Sequence, residues 1–177
     1  GYSISGAAPG DLPTLVLFGS GAASFTDVVR IGEDGDGAVF LSNPGTRFDA
    51  THDIIEDVLF GASRLEVSDG AVVNHTGTFV MNLGFWNGSS GEVLVEGEGS
   101  RIDTAALMIV GDHGRGTLDV IDGGKVTASR MWISHFNDAQ PSTVTVSGTS
   151  IGPAFDPSLL TIAGDLFVSG DDLQGSG

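Results

Sequence analysis

The sequence predicts an all-β fold, a parallel β-helix (β-solenoid) of about six coils with 24–28 residues per coil. Three observations predict it. A short alternating strand recurs at Leu15 (TLVLFGSG), Val39 (AVFLSNPG), Leu65 (RLEVSDG), Val93 (EVLVEGEG), Leu118 (TLDVIDGG) and Val144 (TVTVSGTS), in steps of 24, 26, 28, 25 and 26 residues. Alternation of apolar and polar residues is the period of a half-buried strand, and a near-constant step of this size marks stacked supersecondary units. Each strand ends in glycine, aspartate or asparagine, the residues that tolerate the left-handed turn conformation.

Each coil then adds a kink, a shorter middle strand, a second kink and a closing strand. The closing strands are read at Val28–Ile31, His52–Ile55, Phe79–Leu83, Leu107–Val110, Met131–Ile133 and Leu166–Val168. Asp49–Leu59 is the one ambiguous run, and its place in the repeat makes it strand rather than helix. Right-handed winding is expected, since parallel crossovers take that hand. At a strand spacing of about 4.8 Å, six coils would span roughly 29 Å.

Residues 1–13 read as an irregular lead-in, 14–170 as a single solenoid domain, and 171–177 as a polar tail. Coil six carries an insertion near 151–160, because Ile133 to Val168 is 35 residues where Ile109 to Ile133 is 24. Insertions in solenoids go to surface corners. Above the coil lies a second period. Coils two, four and six carry a G[ST] corner (Gly45-Thr46, Gly99-Ser100, Gly148-Thr149), while one, three and five carry SG, DG or DGG. A pair of coils is thus the expected unit of duplication. Neither end carries a capping helix, so the chain reads as a piece of a longer protein.

Composition narrows the function. Against 23 acidic residues stand only 7 basic ones, a net charge of −16. Nucleic acid and anionic membrane surfaces need basic patches, so neither is an expected partner. The chain has no cysteine, which excludes disulfides and thiolate metal sites. No apolar run reaches the length of a membrane span.

The motifs Leu107–His135 (LMIVGDHGRGTLDVIDGGKVTASRMWISH), Ser142–Ser150 (STVTVSGTS) and Leu166–Gly170 (LFVSG) carry a resemblance. They resemble the repeat of autotransporter-like (type V secretion) passengers and of PEP-CTERM-associated surface proteins. That repeat alternates LxVG, GTLxIxDGGxV and GTVTVSGxGSxW elements. The match runs from Ser90 to Gly170 and is degenerate before it. Ile102 and Ile151 stand where the family has tryptophan. The resemblance implies an exported, surface-exposed bacterial solenoid, extracellular or on the cell surface, and no catalytic residues.

Site candidates follow from residue type. Glu33, Asp34 and Asp36 place three carboxylates on one tight turn, which suits calcium, although a solvated turn is the leading reading. Asp171-Asp172 faces the same choice. No other cofactor is expected. His52, His75, His113 and His135 are expected as solvent-exposed turn residues, with His113 and His135 aligned near one corner. Trp86 and Phe136 fall just past closing strands, where corner packing is the leading reading and a contact with glycan or protein the alternative. Glu66 and Asp119 share an outward column two coils apart, about 9.6 Å, near the span of paired glycosidase carboxylates. Leu94 lies between them, and Lys125 is the sole lysine, so an enzyme is not expected. The function read from the sequence is a non-enzymatic rigid stalk, adhesin or self-stacking filament subunit. Identical chains would pair end to end. The alternative is a carbohydrate-binding or polysaccharide-cleaving β-helix module.

Overall fold

The computed structural model describes residues 2–4, 13–32, 36–56, 62–78, 80–136, 141–148 and 156–168. Every element among them is a strand, and every pairing is parallel. Strand β1 (Tyr2–Ile4) precedes the first coil. Coil one is β2 (Thr14–Phe18), β3 (Ala22–Phe25) and β4 (Val29–Ile31), and coil two is β5 (Gly37–Ser42), β6 (Arg47–Ala50) and β7 (Ile54–Glu56). Coil three is β8 (Ala62–Ser68), β9 (Val72–His75) and β10 (Val80–Leu83). Coil four is β11 (Ser90–Glu96) and β12 (Arg101–Val110), and coil five β13 (Arg115–Ile121) and β14 (Lys125–Ile133). Coil six is β15 (Thr143–Ser147), β16 (Leu159–Ile162) and β17 (Leu166–Val168).

The chain is therefore the β-solenoid the repeat predicts. The anchor strands form a six-stranded sheet, β15-β13-β11-β8-β5-β2. The middle and closing rows together form an eleven-stranded sheet, because β12 and β14 run through both. The first and last anchor strands are five full turns apart, so the coil count of about six is a count of passes rather than of complete turns.

Register decides what is buried. Leu15, Val39, Leu65, Val93, Leu118 and Val144 stack as one column, and Leu17, Leu41, Val67, Val95, Val120 and Val146 as another. In the inner coils both columns are fully buried, and the facing walls close on them with Phe48, Val73, Ile102 and Val126, then Ile54, Met81, Met108 and Met131. Side-chain alternation makes a one-residue slip in any strand expose its whole inward set.

Corners give the two-coil period a cause. Each anchor strand is followed by a residue at positive φ: Gly19, Asn43, Asp69, Gly97, Asp122 and Gly148. Odd corners reach the middle strand directly, as in Asp69-Gly70-Ala71. Even corners carry a Ser or Thr that turns its hydroxyl onto the odd corner below; in coils two and four it is one extra, buried residue, and in coil six it is the half-buried Ser158, beyond the insertion. Thr46 Oγ1 donates to Gly19 O (2.8 Å) and lies 2.7 Å from Ser42 O. Ser100 Oγ accepts from Gly70 N (2.9 Å), and Ser158 Oγ accepts from Gly123 N (3.0 Å). A buried carbonyl or amide left unpaired costs about 1–3 kcal/mol, so these hydroxyls set the corner geometry.

Several expectations are corrected. Tyr2–Ile4, in the supposed irregular lead-in, is a strand paired to β4; three residues are too few to show a period. The second kink is absent in coils four and five, because Thr104–Leu107 and Ala128–Arg130 hold no turn residue and pass through a β-bulge instead. The sequence run Asn74-His75-Thr76-Gly77 reads as the second kink of coil three, but Asn74 and His75 belong to β9 and the kink starts at Thr76. In coil six Ser158 supplies a corner hydroxyl, and Thr149, expected at that corner, lies outside the described residues. Gly148 O accepts from Ser158 N (3.2 Å), so the insertion leaves and rejoins the rod at that corner. Residues 149–155 and the tail 171–177 lie outside the described residues.

His75 is likewise not an exposed turn histidine. It points inward and is fully buried, with Nδ1 2.8 Å from Thr104 Oγ1. Burial pushes its pKa below the usual 6.5.

Two measurements check this core. Leu118→Ala should cost about 2–5 kcal/mol and lower Tm by roughly 5–15 °C, whereas Val146→Ala at the half-open end should cost a small fraction of that. Equal costs would overturn the register. His75 is neutral in the fold but takes a proton when unfolded, so its contribution is present above pH 6.5 and lost as pH falls below it. His75→Leu should therefore show a shallower fall in Tm between pH 7 and 5 than the parent, read by circular dichroism.

Candidate functional site

Three outward surfaces hold the residues that chemistry could use. The first is the acidic face of the anchor sheet. Its central column runs Val16, Phe40, Glu66, Leu94, Asp119, Thr145, as the spacing predicts. Arg64 lies between two carboxylates, with Nη2 3.1 Å from Glu66 and Nη1 3.3 Å from Glu92. Glu96 closes the same face. Burial raises its pKa, and the charges of Glu66, Asp69 and Asp122 add to the shift. Leu94 separates Glu66 from Asp119 in register, so the face spreads its negative charge rather than pairing two acids across a cleft.

The middle row repeats a second device. Arg47 pairs with Asp49 at 3.0 Å and Arg101 with Asp103 at 2.9 Å, each two residues along one strand and so on one face. Asp49 also accepts from Asn74 at 2.6 Å. Burial opposes the charge on Asp49, but the hydrogen bonds from Arg47 and Asn74 outweigh it and lower the pKa. Exposed pairs of this kind are worth about 1 kcal/mol or less each. They orient the few cations without building a pocket.

Of the three turn carboxylates, Glu33 and Asp34 lie outside the described residues. Asp36 is half-buried, and its Oδ1 accepts from Ala62 N at 2.9 Å. That oxygen ties coil two to coil three. Among the described residues no three His, Cys, Asp or Glu side chains gather closely enough to hold a metal ion.

The second surface is the corner past β10, β12 and β14, where the ladder runs on after the strands end. Asp112 N donates to Gly84 O (3.1 Å), His113 N to Phe85 O (3.3 Å), His135 N to Gly111 O (2.9 Å) and Phe136 N to Asp112 O (3.2 Å). Two columns result: Phe85, Asp112, His135 and Trp86, His113, Phe136. Trp86 and Phe136 are exposed, at 44% and 41%. His113 and Phe136 stack at 4.1 Å and 10°, and His135 leans on both Phe136 (4.1 Å) and Trp132 (4.3 Å). Stacked rings cover one another's faces and turn their edges outward, which is packing along the rod axis.

The inner column holds what sequence reasoning missed. Asp112, 5% exposed, faces Asn82 Nδ2 at 2.9 Å with one oxygen and His135 Nδ1 at 2.6 Å with the other. His135 pairs with a carboxylate rather than with His113. The GDH of Gly111–His113 stands in register with GFW at Gly84–Trp86 and SHF at Ser134–Phe136, and that alignment was the available signal.

The third surface is the pair of rod ends. Strands β2 and β15 terminate the anchor sheet, and each has a strand neighbour on one side only among the described residues. Val16, Phe18 and Tyr2 are exposed at one end, and Val146, Leu159, Leu166, Phe167 and Val168 at the other.

Ser134 stands at φ 55° in the ladder row of Gly84 (φ 73°) and Gly111 (φ 80°). At those glycines a Cβ would collide with Arg115 O and with Ser142, so glycine is required there. Ser134 carries its Cβ in the left-handed region, at about 1–2 kcal/mol. Ser134→Gly should raise stability by up to about 1 kcal/mol, or roughly 2–4 °C in Tm by calorimetry; a drop would mean the hydroxyl holds the corner. Comparison with protein-family models, with curated protein sequences and with solved structures returns no match to this chain.

Proposed function

We propose that this chain is a non-enzymatic structural β-solenoid of a bacterial surface or secreted protein, a rigid rod that extends by end-to-end pairing with further solenoid. One observation carries this reading. The inward column Leu17–Val146 is fully buried from Leu41 to Val120, yet Val146 at its end is 43% exposed. Its side chain belongs to the inward column, and among the described residues no further strand lies beyond it in that sheet. The same holds for Leu166, 51% exposed, whose register partner Met131 is fully buried; in the next inward column burial falls from complete at Val110 through half-buried Ile133 to exposed Val168.

Physical chemistry supports the mechanical role. Parallel ladders run the length of the rod, so bending it lengthens hydrogen bonds in two sheets at once. Strand edges with free amides and carbonyls pair readily with another strand. A net charge of −16 keeps the sides of neighbouring rods apart, which leaves the ends as the favoured contact. Surface location rests on the resemblance of Leu107–His135 and Ser142–Ser150 to secreted passenger repeats.

Negative-stain electron microscopy at neutral pH tests the reading. Purified chain at high concentration should give unbranched filaments one solenoid wide. Particles that stay single at every concentration, with a monomer mass by sedimentation, would falsify end-to-end assembly.

A further inference from the structure

An asparagine side chain can react with its own backbone. The amide nitrogen of the next residue gives up its proton and attacks Cγ. The side-chain nitrogen takes a proton and leaves as ammonia, and a five-membered imide remains. Water then opens either imide carbonyl, which gives an aspartyl or an isoaspartyl residue. The reaction needs a carboxamide and a following N–H that are both free of hydrogen bonds. It also needs no bulky side chain on the following residue, which glycine supplies.

The five asparagines of the chain separate on these conditions. Asn43 precedes Pro44, which has no N–H to attack with. Asn74 lies in β9 and donates its amide to Asp49 Oδ1 at 2.6 Å. Asn82 lies buried in β10 and donates to Asp112 Oδ2 at 2.9 Å. Asn137 lies outside the described residues. Asn87 is exposed and precedes Gly88, and neither its carboxamide nor the Gly88 amide enters a hydrogen bond among the described residues.

The turn around it favours the attack. Residues Trp86 to Ser89 are closed by Ser89 N donating to Trp86 O (3.0 Å), with Gly88 at φ 88° in the third place, where a type II turn takes glycine. The peptide plane between Asn87 and Gly88 is the one that turns over between types I and II. Glycine accepts both, so this plane can rotate and carry Gly88 N past Asn87 Cγ while the closing bond stays made.

The same turn carries the next coil. Ser89 is buried, and its Oγ also donates to Trp86 O (2.7 Å). Arg115 N donates to Ser89 O (2.9 Å), and Gly114 lies so close that a Cβ there would collide with Ser89 Oγ and Trp86 O. An aspartyl product adds only a charge at an exposed position. An isoaspartyl product routes the backbone through the side-chain carbon, which adds one atom between Trp86 and Ser89. Coil four holds both of those residues in place, so the added length breaks the Ser89–Trp86 bonds or the Arg115 rung.

We infer that Asn87 is a self-modification site at the junction of coils three and four: it deamidates through an imide with Gly88, with water as the one co-reactant, and the isoaspartate formed there loosens that corner. The inference is independent of end-to-end assembly.

The test incubates the purified chain at physiological temperature and mildly alkaline pH, then maps it by tryptic digestion and mass spectrometry. One peptide, Leu65 to Arg101, carries Asn74, Asn82 and Asn87 together, so two of the three serve as internal controls. Asn87 should convert about tenfold faster than either, a barrier lower by about 1.4 kcal/mol, to both aspartyl and isoaspartyl products. The incubated chain should melt below fresh parent, while fresh Asn87→Asp melts with the parent. Asn87→Gln, whose longer side chain closes a six-membered ring poorly, should neither convert nor lose Tm over the same time. Conversion at Asn87 no faster than at Asn74 and Asn82 would overturn the site. Conversion with no fall in Tm, or an equal fall in Asn87→Gln, would overturn its effect on the corner.

Discussion

The structure depends on one constraint, the register of a parallel ladder in which every coil sits directly on the last. Leu118 is buried because Val93 lies beneath it and Val144 above. Neither neighbour is near in sequence, and no coil could cover its own inward residues. The core is thus a set of columns rather than a centre. Burial falls off only along the axis, from complete in the inner coils to partial at β2 and β15.

Corners keep that register. A chain that must return to the same place every 24 to 28 residues has to absorb differences in length without moving its strands. It does so with residues at positive φ and with buried hydroxyls that occupy backbone groups of the coil below. Charge is arranged around the same frame. The cations that pair do so within one strand or across one step, as Arg47, Arg64 and Arg101 do, so the acidic faces stay extended and uniform.

Much of this was legible because the anchor strands state their period openly. Alternation, glycine punctuation and step length together placed all six, and counting along them put Glu66, Leu94 and Asp119 in one column. What could not be read depended on neighbours one coil away. Strand β1 has three residues and becomes a strand only because β4 offers an edge. The fusion of middle and closing strands in β12 and β14 follows from what their sequences lack. His75 looked like a turn residue beside Thr76 and Gly77, yet Thr104, 29 positions on, gives its ring a buried partner. The Asp112–His135 contact needed the register of three corners at once. Trp86 and Phe136 stand just past the closing rows, but their column with His113 is a property of the stack.

The hydroxyl contacts at Thr46, Ser100 and Ser158 join coils one to two, three to four and five to six. They give the rod a parity. The repeating unit is a doublet of coils, about 9.6 Å along the axis. Gain or loss of a single coil would set two corners of the same kind against each other, with one hydroxyl stranded or one carbonyl unmet. The pairing of coils into doublets is therefore written into the side chains of three small residues.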